Sequence, residues 1–164
     1  ARTEDTVDWI RPDAQASRWQ AENIGDVDTQ GTQLIATHRV DDSLRLLASW
    51  LWTDKDADTP PYASRYSLDY AEHLVRLQLD WTPTEWMRLE LAQLIRSQVE
   101  NELRTAGGDE QFLTNAALHL QHPDHDRVQL GFMVWNATDD DYRVFPGQNT
   151  VSERRVSTAV TVEL

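Results

Sequence analysis

Apolar residues recur at every second position over runs longer than most strands of globular proteins. In "SLRLLASWLW" they place Leu44, Leu46, Ala48, Trp50 and Trp52 on one face, with Arg45, Ser49 and Thr53 on the other. A period of two fits a pleated strand and puts the same residues all round a helix. "LVRLQLDW" repeats the pattern, with Val75, Leu77, Leu79 and Trp81 against Arg76, Gln78 and Asp80. The opposed face is charged rather than merely polar, so each strand separates two unlike surroundings.

Further runs extend the pattern. "EWMRLELAQLIRSQ" sets Met87, Leu89 and Leu91 against Arg88, Glu90 and Ala92, although its length and composition also allow a helix. "FLTNAALHL" alternates weakly and, taken alone, reads either way. Its neighbours favour a strand: "RVQLGFMVW" aligns Val128, Leu130, Phe132 and Val134. The final "RVSTAVTVEL" aligns Val156, Val160, Val162 and Leu164 against Ser157, Ala159, Thr161 and Glu163. With "GTQLIATHRV" and the opening "TEDTVDWI", the count reaches about eight strands.

Connections alternate in length. "VDDS", "TPTE" and "HPDHD" carry the Pro, Asp and Ser of tight turns, whereas residues 11–20, 53–70, 97–111 and 136–154 form long polar segments. An up-and-down antiparallel sheet with tight turns at one end and long loops at the other is the pattern of transmembrane β-barrels. At 164 residues one domain is expected, spanning 1–164. No apolar run reaches the roughly 20 residues of a membrane-spanning helix, and "ARTEDTVDWI" lacks the basic start and apolar centre of a signal peptide. Barrel strands of about 9–11 residues escape that test, because only one face is apolar.

Composition narrows the chemistry. Acidic residues outnumber basic ones 28 to 15, a net charge of −13 that disfavours nucleic-acid and anionic-lipid partners. The absence of cysteine excludes disulfides, thiolate metal sites and thiol nucleophiles. His119, His122 and His125 flank a turn, and Asp54, Asp56 and Asp58 lack the Gly and distal Glu of a calcium loop, so no metal or cofactor is expected. "NAT" at 136–138 fits a glycosylation acceptor. With no nucleophile elbow and no glycine-rich phosphate loop, the chain is read as a non-enzyme.

Three stretches carry a resemblance: "WQAENIGDVDTQGTQLIAT", "HLVRLQLDWTPTEWMRLELA" and, most specifically, "GFMVWNATDDDYRVFPG". The chain resembles the carboxyl-terminal barrel portion of TonB-dependent outer-membrane receptors, which import iron chelates such as siderophores, cobalamin and related nutrients. That resemblance implies roughly the last third of such a receptor, beginning inside a strand, in the bacterial outer membrane. It implies as partners the remaining barrel strands and plug domain, TonB acting through the plug, outer-membrane lipid and a small-molecule nutrient. In the family the last residue is usually aromatic, whereas here it is Leu164.

Positions follow from the pattern. Leu44, Leu46, Val75, Leu77, Leu79, Leu89, Leu91, Leu130, Phe132, Val160 and Val162 are expected to face lipid. Trp50, Trp52, Trp81, Trp86 and Trp135 are expected in aromatic girdles near strand ends. Asn136 and Asp139 are expected to end a strand and turn the backbone into the last loop. Tyr62, Arg65, Tyr66, Arg104, Tyr142, Arg143 and Phe145 lie in the long loops and are the candidate ligand contacts. The alternatives are a self-contained small barrel or sandwich that binds without transporting, and a soluble hydrolase-like β-domain.

Overall fold

A computed structural model describes residues 1–13, 17–58, 61–101, 103–104, 108–122, 125–141 and 153–162. Among them every element is a strand, and both sheets are antiparallel. The larger sheet is built on β4 (Val27–Arg39), β5 (Leu44–Ala57), β7 (Ala71–Thr84), β8 (Met87–Gln98), β9 (Glu110–His122), β10 (His125–Trp135) and β11 (Arg155–Val162). Each pairs with the next in chain order, and the two-residue β1 (Arg2–Thr3) sits against the top of β4. The smaller sheet joins β2 (Val7–Arg11), β3 (Gln20–Asn23) and β6 (Ala63–Ser64). "TVDWI" was expected in the main sheet but forms β2 of this small sheet, so the eighth place is held only by the stub Arg2–Thr3. "MRLELAQLIRSQ", ambiguous by composition, is a strand.

Register shows which side chains share a face, because residues directly opposed in an antiparallel ladder point the same way. Leu46 opposes Leu79, which opposes Leu91. Leu89 opposes Leu118, which opposes Phe132. Leu130 opposes Val160, and Val128 opposes Val162. Val75 and Leu77 continue the same parity on β7, facing Trp50 and Ala48. All eleven residues expected on the apolar side therefore lie on one face of one sheet. The other face carries Arg45, Asp80 and Glu90 in one row, with Arg88 3.3 Å from Asp80 and 3.1 Å from Glu90. Trp50, Trp52 and Trp81 join the apolar face. Trp135, opposite Arg155 and next to Val134, falls on the charged face, so it does not extend an apolar girdle.

Neither face of this sheet is covered by a second layer among the described residues. Leu34, Leu77, Phe132 and Val160 are 59%, 44%, 42% and 67% exposed, while the buried hydrophobic residues are Ile10, Ile24, Val27, Ala57 and Ala63, all at one end of the molecule. A chain that buries so little of its apolar strand surface has its core off the sheet, under the long loops.

The sheet is also open. Residues 40–43 and 85–86 make tight turns at one end, and β5 to β7, β8 to β9 and β10 to β11 are joined by longer segments at the other. β4, β7, β9 and β11 accordingly run toward the tight-turn end, and β5, β8 and β10 run back. The long strands β4 and β11 thus point the same way, and outside β4 the sheet is carried on only by the two-residue β1, antiparallel to it. Among the described residues the sheet does not close on itself. Thr29 exchanges backbone hydrogen bonds of 2.6 and 2.5 Å with Ala1, whereas Val40 donates to Leu44 at 3.0 Å. By that alternation Gly31, Gln33, Ile35, Thr37 and Arg39 turn their backbone groups to the uncovered edge.

Two local devices fix the pairing of β4 with β5. At Gly31 a Cβ would meet the Trp52 carbonyl oxygen at 2.7 Å. Gly31→Ala should therefore push the two strands apart and cost about 1–3 kcal/mol, read as a lower unfolding midpoint in detergent. In the turn, the Asp41 carboxylate accepts from the Ser43 amide at 2.7 Å, the Ser43 hydroxyl at 2.8 Å and the Leu44 amide at 2.9 Å. The Ser43 hydroxyl, then its amide, hold this carboxyl below its usual range. A carboxyl depressed in the folded state stabilises above its unfolded pKa, and that contribution disappears as pH falls through the lower folded value. The protection factor of the Leu44 amide, its exchange rate relative to an unstructured amide at the same pH, should fall on acidification below about pH 4, and Asp41→Ala should remove that pH dependence.

Candidate functional site

The long-loop end holds the core and most of the loop residues expected to meet a ligand. Ile10, Ile24, Val27 and Ala57 pack together, with Leu68 against them. Thus β2, the entry to β4, the top of β5 and the β5–β7 loop form one block. Asp8, 3% exposed, ties it. Its carboxylate accepts from the Ser64 hydroxyl and from the amides of Tyr66 at 3.4 Å and Ser67 at 3.0 Å, and Ser64 in turn accepts from the Leu68 amide at 2.8 Å. Lys55 reaches the Ser67 carbonyl at 2.9 Å and lies over the Tyr70 ring, while the Tyr70 hydroxyl accepts from the Lys55 amide at 2.8 Å.

A second knot joins the β5–β7 loop to the β8–β9 loop. Arg104 pairs with Asp69 and Asp109 and donates to the Val99 carbonyl at 3.1 Å. The Arg104 and Asp69 side chains are completely shielded from solvent. Burial pushes the Asp69 carboxyl up, against the opposing pull of Arg104. Beneath this pair, Gln111 donates to Gln98 at 2.5 Å, both buried. Arg104 was expected to touch a ligand. The structure instead shields its side chain from solvent and pairs it with the shielded Asp69 and the partly exposed Asp109, so it orders the loops.

The third feature is the exit of β10. Asn136 and Asp139 have φ of 50° and 58°, a left-handed conformation that Asn and Asp tolerate best among residues with a Cβ. The Asn136 side chain donates to the Asp140 carbonyl at 3.0 Å and accepts from its amide at 3.0 Å, while Asp140 accepts from the Phe112 amide at 2.7 Å. Asp139 accepts from the Arg154 amide at 3.0 Å. The acidic run therefore ties the exit of β10 to Phe112 of β9 and to Arg154 before β11.

Of the other expected contacts, Tyr62 and Tyr66 are 42% and 44% exposed, and Arg65 lies over the Trp19 and Tyr66 rings. Tyr62 lines a recess of about 380 Å³ with Ser64, Leu68, Val99, Asn101 and Leu103, and the one carboxylate in its wall is Glu100. Tyr142, Arg143 and Phe145 lie outside the described residues. Asp54 and Asp56 are strand residues, not loop residues, and Asp54 accepts from Gln30 at 2.8 Å. His119 stands 3.7 Å from Glu90 on the charged face. Among the described residues no three acids or histidines gather as a cation site.

Asp8, Arg11, Trp19 and Asp69 belong to this end yet stood outside the sequence-based set. For Asp8 and Arg11 the one signal is local: "VDWIR" alternates with Asp8 and Ile10 on the buried side, and a buried Asp must have donors. No protein-family model and no curated protein matches this chain.

Proposed function

We propose that this chain is a wall-and-loop segment of an outer-membrane β-barrel receptor of the TonB-dependent type, serving energised uptake of a scarce nutrient. The observation that carries the membrane part is the main sheet: one face apolar and uncovered, the other charged, both flanking edges open. Strands β5, β7, β8 and β9 of 14, 14, 12 and 13 residues exceed the roughly 9–11 needed to cross a bilayer. A bilayer removes the apolar face from water, and further strands at the edges satisfy the backbone that lipid cannot. A plug domain would meet the charged face, and TonB would act through it. The receptor type and the nutrient class rest on the sequence resemblance, and this segment supplies wall and outward loops.

The chain contains no cysteine, so single cysteines can be placed at will. Nitroxide labels at 75 to 81 and 158 to 162, in liposomes with the complete receptor, should alternate. Oxygen accessibility should be high at 75, 77, 79, 160 and 162 and low at 76, 78 and 161. Labels that are uniformly water-accessible, or uniformly buried, would sink the membrane reading. A self-contained sandwich is the poorer account, because a second layer over the apolar face is missing among the described residues.

A further inference from the structure

Two arginines at the long-loop end are kept away from acids. Arg11 and Arg65 both lie over the Trp19 ring, with guanidinium carbons 5.2 and 5.8 Å from its centroid, and Arg65 is also 5.5 Å from the Tyr66 ring. Among the described residues neither guanidinium meets a carboxylate, whereas Arg2, Arg39, Arg88, Arg104 and Arg154 all do. The buried Nε of each has no acceptor. Among the described residues Arg18, Arg45, Arg76, Arg127 and Arg155 likewise make no ion pair, and what sets Arg11 and Arg65 apart is that the two share one indole.

The fold puts them there. Arg11 ends β2 and opposes Ala63 of β6, and the Arg65 amide donates to the Trp9 carbonyl at 2.9 Å. Both side chains remain half-buried rather than sealed. Ala63 and Ser64, which pair with Arg11 and Ile10, also line the 380 Å³ recess with Tyr62. That volume lies in the range of small-molecule sites. Trp9, 48% exposed, and the exposed Tyr62 and Tyr66 add flat faces to the surround. Planar guanidinium groups on an aromatic support, with their charge uncompensated, suit a planar or tetrahedral oxyanion, and exposed rings suit an aromatic body.

We propose that the Arg11, Trp19 and Arg65 stack, with the recess beside it, binds a soluble aromatic oxyanion, a ring bearing a carboxylate or phosphate. This rests on the receptor reading and names the ligand chemistry of its outward loops. The guanidinium groups hold the anionic group, and Tyr62 and its neighbours hold the ring.

The test uses the full chain in nonionic detergent, titrated calorimetrically with phenyl phosphate, benzoate, inorganic phosphate and benzylamine. The two aromatic anions should bind saturably, inorganic phosphate more weakly and benzylamine not at all. Arg11→Gln and Arg65→Gln should each weaken phenyl phosphate about tenfold, and Arg65→Lys should recover part, since it keeps charge but loses the planar fork. Tyr62→Ala, at an exposed position, should weaken the aromatic anions and leave inorganic phosphate unchanged, a result that loss of folding cannot mimic. Binding unchanged in the double glutamine variant, or no saturable binding at millimolar ligand, overturns the site. Retention on anionic phosphatidylglycerol vesicles without binding of soluble anions would assign the stack to a lipid headgroup and equally overturn it. The nitroxide labels report on the wall and this titration on the loops, so either reading can fail alone.

Discussion

Leu77→Arg should abolish membrane assembly of the sheet, whereas Gln78→Arg, one residue on, should be tolerated. Leu77 opposes Ala48 and Gln93 on the apolar face and is 44% exposed. Gln78 points to the other face, where its amide donates to Asp80 at 3.4 Å. An arginine on the lipid side near the bilayer midplane costs about 2–4 kcal/mol. That corresponds to a fall of more than about tenfold in the folding equilibrium constant. On the charged side the same guanidinium meets Asp80 and Glu90. The measurement is the folded fraction in liposomes, read as protease-resistant, heat-modifiable protein for each variant at equal expression. Equal assembly of the two variants would mean that the apolar face does not meet lipid, whatever else covers it.

Arg104→Ala should loosen the long-loop end while the strands hold. Removing one member of a buried ion pair leaves the other charge without compensation, at a cost of about 3–5 kcal/mol. Here Asp69 is left shielded from solvent with Arg104 gone, and Asp109, 31% exposed, can turn to water. Proteolysis within residues 99–109 should accelerate, and amide protection in β5 and β7 should persist. Burial already raises the Asp69 carboxyl, and loss of Arg104 raises it further. A carboxyl raised in the folded state destabilises it when ionised, so the deficit of the variant should be largest near pH 7 and shrink as pH falls toward about 4. Arg104→Met with Asp69→Leu, which removes both charges, should recover most of the loss. If the single variant is as protease-resistant as the native chain at neutral pH, the knot does not hold the loops.

The strands and their faces were legible because both depend on neighbours two residues apart. Leu44 to Trp52 and Val75 to Trp81 announce their own pleat, and register could then join them only with the apolar sets on one side, since a slip by one residue would mix the faces. The turn at Asp41 and the exit at Asn136 were equally local, being side chains that bond backbone within a few residues. The loop-end site was not. Asp8 meets Ser64 across 56 residues, and Arg104 meets Asp69 across 35. Nothing in "TVDWI" distinguishes a strand of the large sheet from one of the small sheet, and Arg104 looks in sequence like any exposed loop arginine. Alternation, connection length and turn chemistry were thus set by the sequence alone. Which arginines are consumed by carboxylates and which are left on Trp19 was decided only when the loops closed, because burial and pairing depend on which distant groups share the same few ångströms.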